Sequence, residues 1–210
     1  MAGKNTYRIG ADGTANYPDL VSIPAEILAQ SNTSFLIYSG TYAAPTNAVL
    51  VDCAFIGVGD RDEVIINGTM TIANTSSDGV LFENLSLVGP NAVATSGSAC
   101  VNKLGAASLP IKFERVIFSN AEFGVIHSSE LAFATTSKQV SLNYSDASGV
   151  DKAVKANANV AINFASLNTT SNAYFTPGGG TGVPAVTVRA STSAGSNTGN
   201  TTKTVLALVS

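Results

Sequence analysis

The chain has 210 residues, of which 45% are hydrophobic and only 12% are charged, so it can bury the core of one sizeable domain. Its net charge of −3 provides no basic surface for nucleic acid, and its apolar content argues against a disordered chain. No apolar run could span a bilayer, and residues 1–7 lack the apolar core of a signal peptide. We therefore expect a protein made in a cytoplasm, with neither nucleic acid nor membrane as a partner.

The first clear element in chain order is a short amphipathic helix at residues 22–30. Ser22 can cap its first backbone N–H groups, and Pro24 is tolerated in the first turn. Its apolar face consists of Ile23, Ile27 and Leu28. A helix placed before a run of strands can close the open end of their core, so we interpret this one as an N-terminal cap.

Short strands follow, the first at residues 35–42, separated by Asn-Gly, Asp-Gly and serine-rich corners. A phrase that opens with an apolar residue and an acid recurs at residues 51–57, 82–89 and 113–120, with a step of 31 residues. Repeats of this length, built from period-2 strands, are typical of a stacked β-solenoid. A β-sandwich stays open as the alternative, although no two-residue hairpin recurs.

Alignment of the repeats, with weaker copies starting at Lys138 and Asn163, predicts which side chains face the core. The fourth positions are Ala54, Leu85, Val116, Val140 and Ala165, and the sixth positions are Ile56, Leu87, Phe118, Leu142 and Leu167. Because side chains alternate along a strand, we expect both sets to stack inside, coil on coil. The same alignment makes Glu83 and Glu114 neighbours on adjacent coils.

The predicted fold is all-β: a right-handed, single-stranded parallel β-helix with a short N-terminal capping helix and C-terminal β strands. The β-helix and its cap occupy residues 1–176, and residues 177–210 form a C-terminal strand and oligomerisation segment after a glycine-rich joint. We expect that segment to make the contact between subunits, because its apolar strands lie beyond the last recognisable coil. The predicted interface residues are Val186, Val188, Val205, Leu206 and Leu208.

Residues 9–20, the helix and residues 35–42 resemble the start of pectin methylesterases and related right-handed β-helix proteins. Those proteins begin with a Gly-Asp-Gly strand, a capping helix and an I-x-x-G-x-Y strand, and their first coil ends near a G-x-G that matches Gly57–Gly59 here. The resemblance covers roughly the first 70 residues and implies the fold. The family's catalytic aspartate, with its accompanying acid, glutamines and arginine, has no match. The nearest phrase is residues 121–126, and tryptophan is absent.

Two groups of acidic residues are candidates for chemistry. The cluster at residues 60–63 could bind Ca²⁺ through alternating carboxylates, but Arg61 offsets its acids, so a solvated corner is the favoured interpretation. Glu83 and Glu114, as stacked carboxylates about 5 Å apart, could serve glycosidic chemistry. Stacked repeats produce such pairs without any function, so the structural interpretation is favoured there too.

The remaining candidates are single residues or scattered sets. His127, the only histidine, has no Ser-His-Asp spacing around it and is interpreted as a turn or edge residue. Cys53 and Cys100 belong to no CxxC or histidine-rich cluster, which favours buried free thiols over a disulfide or a metal pair. A sugar-stacking platform would need several of the dispersed tyrosines Tyr17, Tyr38, Tyr42, Tyr144 and Tyr174. We predict no catalytic, cofactor-binding or metal-binding residues.

These features together predict a non-enzymatic structural protein. The most concrete version is a bacteriophage capsid cement (decoration) or tail protein, a homotrimer in the virion that binds the major capsid protein or other virion proteins. Surface glycans are a further candidate partner. Trimeric β-helices recur in such proteins, which is an analogy at the level of the fold.

The alternative is a carbohydrate-active β-helix, a polysaccharide lyase, esterase or phage depolymerase, acting through Asp60, Glu83 and Glu114. A bacterial surface adhesin ranks third because no signal peptide is seen.

Overall fold

A computed structural model describes residues 5–11, 13–46, 48–73, 79–90, 97–104, 110–127, 138–156, 159–163, 165–167, 175–177, 185–189 and 202–207. The elements in these ranges are the helix α1 (Ala25–Leu28) and the strands β1 (Asn5–Ile9), β2 (Thr33–Tyr38), β3 (Gly40–Ala43), β4 (Cys53–Val58), β5 (Val64–Asn67), β6 (Met70–Ala73), β7 (Val80–Glu83), β8 (Ser86–Val88), β9 (Ala99–Leu104), β10 (Ile111–Glu114), β11 (Ile117–His127), β12 (Lys138–Asn143), β13 (Asp146–Ala156), β14 (Asn159–Asn163), β15 (Ser166–Leu167), β16 (Phe175–Pro177), β17 (Ala185–Arg189) and β18 (Thr202–Ala207). The helix is too short to cross a bilayer, and the described ranges hold no other.

The strands stack in parallel to form the walls of a β-solenoid. The first wall has the order β1-β2-β4-β7-β10-β12-β14-β17-β18. The second wall contains β3, β5, β8 and β15 with the first parts of β11 and β13, and the third contains β6, β9 and β16 with their last parts. The predicted all-β parallel solenoid is therefore confirmed.

A column of aromatic rings runs up the inside of the first wall. Phe35, Phe55, Phe82 and Phe113 are register partners on consecutive strands and are fully buried. Their ring centroids lie 5.0, 5.3 and 5.2 Å apart, with the rings stacked. Parallel strands repeat at about 4.8 Å, so in-register phenylalanines must stack face to face, and each ring excludes water from the next.

Most of the predicted inward positions are confirmed in their burial, but their register is partly wrong. Ile56 does not face the core: it is half-buried on the outer face, where it pairs with Glu83, and the side chain of Leu167 lies outside the described residues. Leu85, Leu87, Val116, Phe118, Val140 and Leu142 are at most 1% exposed. Leu87 and Phe118 pair as predicted. Leu142, however, pairs with Phe113 in the first wall, not with Phe118 in the second.

The first copy of the repeat was also misaligned, because Phe55, and not Val51, pairs with Phe82. Asp52, which the alignment equated with Glu83, is a corner residue with a φ of 41°. The acid that suggested the match therefore belongs to a turn, and the strand begins only at Cys53.

The N-terminal end of the first wall is closed by the chain itself. The N–H groups of Asn16 and Tyr17 donate to Arg8 O, and Gly10 N–H donates to Tyr17 O. The Arg8 N–H donates to Asn16 Oδ1, 2.7 Å away. These bonds occupy the outer edge at the C-terminal end of β1, a strand that the sequence analysis did not predict, so that part of the edge is not open to another chain.

The capping helix is present but shorter than predicted. Ile23 and Leu28 are buried against the core, and Ile27 packs beside them, as expected for an end cap. Ser22 does not cap the helix. Its hydroxyl donates to Asp19 O, and Pro24 occupies the N-cap position without a side-chain bond to the helix. Pro24 itself has no N–H to satisfy, which suits this position at the start of a helix.

The C-terminal strands continue the first wall. β17 pairs in parallel with β14, and β18 pairs in parallel with β17. The predicted domain boundary at residue 176 falls within β16, which pairs with β13. Of the predicted interface residues, Val186 and Val188 lie on β17 and Val205 and Leu206 on β18, whereas Leu208 lies outside the described residues. Their contact with another subunit stays a prediction.

Both cysteines are buried free thiols, as predicted. Burial, together with the nearby charge of Asp52, raises the pKa of Cys53 to about 12, against a backbone hydrogen bond at Val51. Burial likewise raises the pKa of Cys100 to about 12, although backbone groups at Ser119 and Gly89 oppose it. A thiol with so high a pKa carries almost no thiolate at neutral pH.

We expect neither thiol to react with an aromatic disulfide reagent at pH 8 while the protein is folded, because the thiolate is the reacting species. Both should react within minutes in concentrated urea. The measurement is the release of the coloured thiolate with and without denaturant. Rapid reaction of the folded protein, followed by assignment of the adduct to Cys53 or Cys100, would contradict the buried placement of that residue.

Candidate functional site

The candidate site begins at a corner that repeats on three coils. Asn84, Arg115 and Tyr144 directly follow β7, β10 and β12, and their φ angles are 55°, 54° and 49°. Their N–H groups donate to Glu114 O, Asn143 O and Asn163 O on the next coil, at 2.9, 2.9 and 3.0 Å. One residue with left-handed backbone thus turns the chain from the first wall to the second on each coil.

This backbone conformation suits only one of the three residues. Asn tolerates the left-handed region because its short side chain bonds locally, and Asn84 Nδ2 donates to Gly57 O and Gly59 O at 3.1 and 2.7 Å. For Arg115 and Tyr144 the same conformation costs on the order of 1 kcal/mol each. Strain of this kind is found at functional sites, so the two side chains are candidates for a role in binding.

The side chains at this corner line an open groove of about 510 Å³, which we call the corner groove. Its lining residues are Asp60, Arg61, Asp62, Asn84, Arg115, Ile117 and Tyr144. Tyr144 is 54% exposed, the largest aromatic exposure in the described part of the chain. The groove therefore combines carboxylates, guanidinium groups, an amide and an aromatic ring on one accessible surface.

A polar ladder runs beside the corner groove on the outer face of the first wall. Glu83, Glu114, Asn143 and Asn163 are register partners on consecutive strands. Asn163 Nδ2 donates to Asn143 Oδ1 at 2.8 Å, and Asn143 Nδ2 donates to Glu114 Oε2 at 3.1 Å. Glu83 Oε1 lies 3.7 Å from Arg115 Nη2. The predicted stacking of Glu83 and Glu114 is confirmed, and each carboxylate has a partner of its own.

The residues 60–63 form an exposed turn between β4 and β5, so part of the predicted charged cluster does reach the site. Asp60 and Asp62 line the corner groove, whereas Glu63 accepts a hydrogen bond from Ser39 Oγ at 3.1 Å. Arg61 Nη1 lies 3.4 Å from Tyr144 O, and the Arg61 carbonyl accepts from Ser86 Oγ at 2.8 Å. Within the ranges that the structure describes, no three His, Cys, Asp or Glu residues come together as metal ligands.

A second charged cluster lies on the third wall, away from the corner groove. Lys152 Nζ donates to Glu122 Oε1 at 2.9 Å, and Gly97 N–H donates to Glu122 Oε2 at 2.6 Å. Burial disfavours the Glu122 carboxylate, but these bonds and the charges of Lys152 and Lys155 outweigh it and lower the pKa of Glu122. The bond to Glu122 raises the pKa of Lys152 against the effect of burial. The ion pair joins three coils, which suits a structural role.

The other predicted candidates are dispersed. His127 is the last residue of β11 and fully buried, so it is a strand-end residue but not a surface one. Tyr17 packs against Tyr7, with ring centroids 5.9 Å apart. Tyr42 is buried, and its hydroxyl donates to Tyr38 O at 2.8 Å. Tyr174 lies outside the described residues. The structure thus brings only Tyr144 of these to the corner groove.

The sequence analysis named Tyr144 but did not connect it with Arg115. The signal that could have joined them is the phrase apolar–(Glu or Asn)–X–(Leu, Val or Ser) at Phe82, Phe113 and Leu142, in which X is the corner residue. The alignment displaced the copy that contains Leu142 by five residues and so lost this equivalence. No comparable signal marks the Glu122–Lys152 pair, whose members lie in unrelated local sequences.

Comparison with known proteins adds little to this geometry. No protein-family model matches the chain, and no curated protein matches it. Among solved structures, that of a pectin methylesterase from Aspergillus niger is similar, with 14% identity, a TM-score of 0.45, and coverage of 100% of this chain and 93% of the esterase chain. The parallel solenoid is established by the chain's own strand pairings, and the esterase activity is a property of that other protein.

Proposed function

We propose that this chain is a non-enzymatic structural protein that self-associates through its C-terminal end. The observation that carries the proposal is the difference between the two ends of the first wall. Asn16 and Tyr17 occupy the outer edge of β1 at Arg8. At the other end β18 is the last strand of the sheet, and no described strand pairs with its outer edge. Exposed strand edges attract further strands, so a partner chain is the expected cover.

The narrower proposal is a homotrimeric bacteriophage decoration or tail protein that binds the major capsid protein or another virion protein. It rests on the analogy with trimeric β-helices of virions, which is an argument from the fold alone. The low charge and the stacked core are consistent with a robust module of this kind. A closed ring of three chains would cover the open ends without forming an open polymer.

The mass of the protein in solution tests self-association. We expect the full chain to sediment at three times its 21.3 kDa at micromolar concentration. A chain ending at residue 201, which lacks β18, should lose this assembly. Val21→Asp is the matched control, because Val21 is 57% exposed at the opposite, closed end. A full-length monomer would overturn the proposal, and a trimer that fails to cosediment with purified phage capsids would remove only its narrower form.

The proposal also implies that the protein cleaves no glycan. Glu114 accepts a bond from Asn143, and Glu83 Oε1 lies 3.7 Å from Arg115 Nη2, so each carboxylate has a partner that accounts for it structurally. Cleavage of an acidic or neutral glycan that Glu83→Gln or Glu114→Gln abolished would replace the structural proposal with the carbohydrate-active alternative.

A second candidate function is glycan binding in the corner groove. The specific observation is the exposed ring of Tyr144 beside the guanidinium of Arg115, with Asp60 and Asp62 in the same groove. Aromatic faces stack on the apolar side of sugar rings, and charged side chains bind their hydroxyl groups. A surface that displays such a groove could attach a structural protein to a glycan without cleaving it.

The Tyr144→Asn variant tests glycan binding without destabilising the fold. Because Asn tolerates a φ of 49°, we expect the variant to unfold at equal or higher urea, with a gain of up to about 1 kcal/mol, while glycan binding is lost. Lys112→Asn, an exposed change outside the groove, should leave binding unchanged. Calorimetric titration with an oligosaccharide panel measures the affinity. Equal affinity of the Tyr144→Asn variant and the parent would exclude the groove as the binding site.

A further inference from the structure

A second groove lies where the strands of the first wall begin, at the opposite ends of these strands from the corner groove. It has a volume of about 550 Å³, and we call it the strand-start groove. Its lining includes Asp52, Ala54, Gly79, Leu81, Pro110 and Lys112. These residues come from three consecutive coils, which contribute β4, β7 and β10 to the first wall.

The strand-start groove exists because small residues stand in the middle of the stack. Ala54, Leu81 and Lys112 are register partners on the outer face of β4, β7 and β10. Gly79, directly before β7, has no side chain, and a Cβ there would meet nothing closer than Pro110 O at 3.5 Å. The space beside these small residues is bounded by Leu81 and Pro110, so the middle of the groove is apolar.

The two ends of the strand-start groove carry opposite charges. Asp52 is exposed at one end, where its Oδ2 accepts a hydrogen bond from the Asn32 N–H at 3.2 Å. Lys112 is exposed at the other end. None of the ion pairs in the described part of the chain involves either residue. Two coil spacings of about 4.8 Å separate their strands, so the two charges lie on the order of 10 Å apart along the stack.

A buried hydroxyl group adjoins the same end of the groove as Asp52. Ser34 is the register partner of Ala54, on the outer face of β2. It is only 4% exposed, and within the described structure its Oγ has no hydrogen-bond partner. A buried polar group without a partner costs free energy, so a ligand that seated a polar atom against Ser34 would remove that cost.

We propose that the strand-start groove binds a short zwitterionic peptide, with its ammonium group at Asp52 and its carboxylate at Lys112. An extended chain spans at most about 3.3–3.6 Å per residue, so three residues match the distance between the two charges. Small apolar side chains of the peptide would pack on Leu81 and Pro110. A ligand with two anionic ends would be repelled by Asp52, and one with two cationic ends by Lys112.

The first test is calorimetric titration of the full chain with trialanine. We expect saturable binding at millimolar peptide. Acetylation of its amine or amidation of its carboxylate should each weaken binding by about fivefold, the effect of one exposed ion pair. Dialanine should also bind more weakly, because it is too short to reach both charges. Absence of binding, or equal affinity for trialanine and its doubly blocked form, would overturn the proposal.

The second test assigns each end of the peptide to one residue. Asp52→Asn should bind free and acetylated trialanine equally and keep the preference for a free carboxylate, whereas Lys112→Met should show the converse. Asn tolerates the φ of 41° at position 52 and keeps an oxygen for the Asn32 N–H, so the first variant should fold.

Asp62→Asn is the matched control, because Asp62 is an exposed acid that lines the corner groove. This variant should discriminate between the free and blocked peptides as the wild type does. If Asp52→Asn is weakened by acetylation of the peptide as much as the wild type is, the ammonium group does not lie at Asp52 and the proposal is wrong.

Discussion

Replacing Phe82 by Ala should destabilise the protein by about 3–5 kcal/mol, the largest effect expected from any single truncation in the core. Phe82 is fully buried between two stacked rings, with centroids 5.3 Å from Phe55 and 5.2 Å from Phe113. The change removes the burial of one ring and both ring contacts, and it leaves a cavity in the middle of the column. Equilibrium urea unfolding followed by circular dichroism measures the loss.

Leu81→Ala is the matched control for this change. Leu81 is the neighbouring residue of β7, but it is only half-buried on the outer face of the first wall. Its truncation should cost about 1 kcal/mol or less, because less apolar area is removed from water. Similar losses for the two variants would mean that the column of rings is not the centre of the core.

The second large effect is expected from Gly57→Ala, which should cost about 3 kcal/mol, the upper part of the range for overpacking. A Cβ at position 57 would lie 1.9 Å from the Asn84 carbonyl oxygen and 2.9 Å from its carbon. Both atoms belong to the backbone of the next coil, so no side chain can move aside. Relief of the clash would require the two coils to separate and would disturb the bonds from Asn84 Nδ2 to Gly57 O and Gly59 O.

Gly79→Ala is the corresponding control. A Cβ at position 79 would meet nothing closer than Pro110 O at 3.5 Å, which is an ordinary contact. The variant should be as stable as the parent or more stable by up to about 1 kcal/mol, because alanine restricts the unfolded chain. The two unfolding midpoints can be compared directly. An unaffected Gly57→Ala protein would show that the coils of Gly57 and Asn84 are less tightly stacked than the structure places them.

The fold was predictable because the alternation of apolar and polar residue types along the strands of a solenoid indicates which side chains are buried. Strands with alternating apolar residues, short spacings and no recurring hairpin allowed few other architectures. Phe82 and Phe113 are each followed by a glutamate in the sequence, and they pair in the structure. The same logic identified Ile23 and Leu28 as the buried face of the cap.

The register between coils was harder to predict because the coils differ in length. Along the first wall the partners Phe35, Phe55, Phe82, Phe113 and Leu142 are separated by steps of 20, 27, 31 and 29 residues. An alignment that favours a constant step will displace a coil of another length. The alignment also matched Asp52 with Glu83 because both are acidic, although Asp52 lies in a turn and Glu83 lies in a strand.

The candidate site was only partly predictable for a different reason. Asp60 and Arg115 are conspicuous in a chain with few charges, but the corner groove exists only because three corners lie above one another. The left-handed conformation of Arg115 and Tyr144 cannot be expected from residue types that normally avoid it.

The unequal steps along the first wall determine how such a chain can change in length. The column of rings keeps its register through coils that differ by up to 11 residues, as the intervals of 20 and 31 show. Segments outside the first wall must absorb the whole of that difference. Gains and losses of residues at those corners are therefore local events, which leave neighbouring coils in register. Residues can be inserted, removed or exchanged at the corners while the stacked first wall keeps the fold intact.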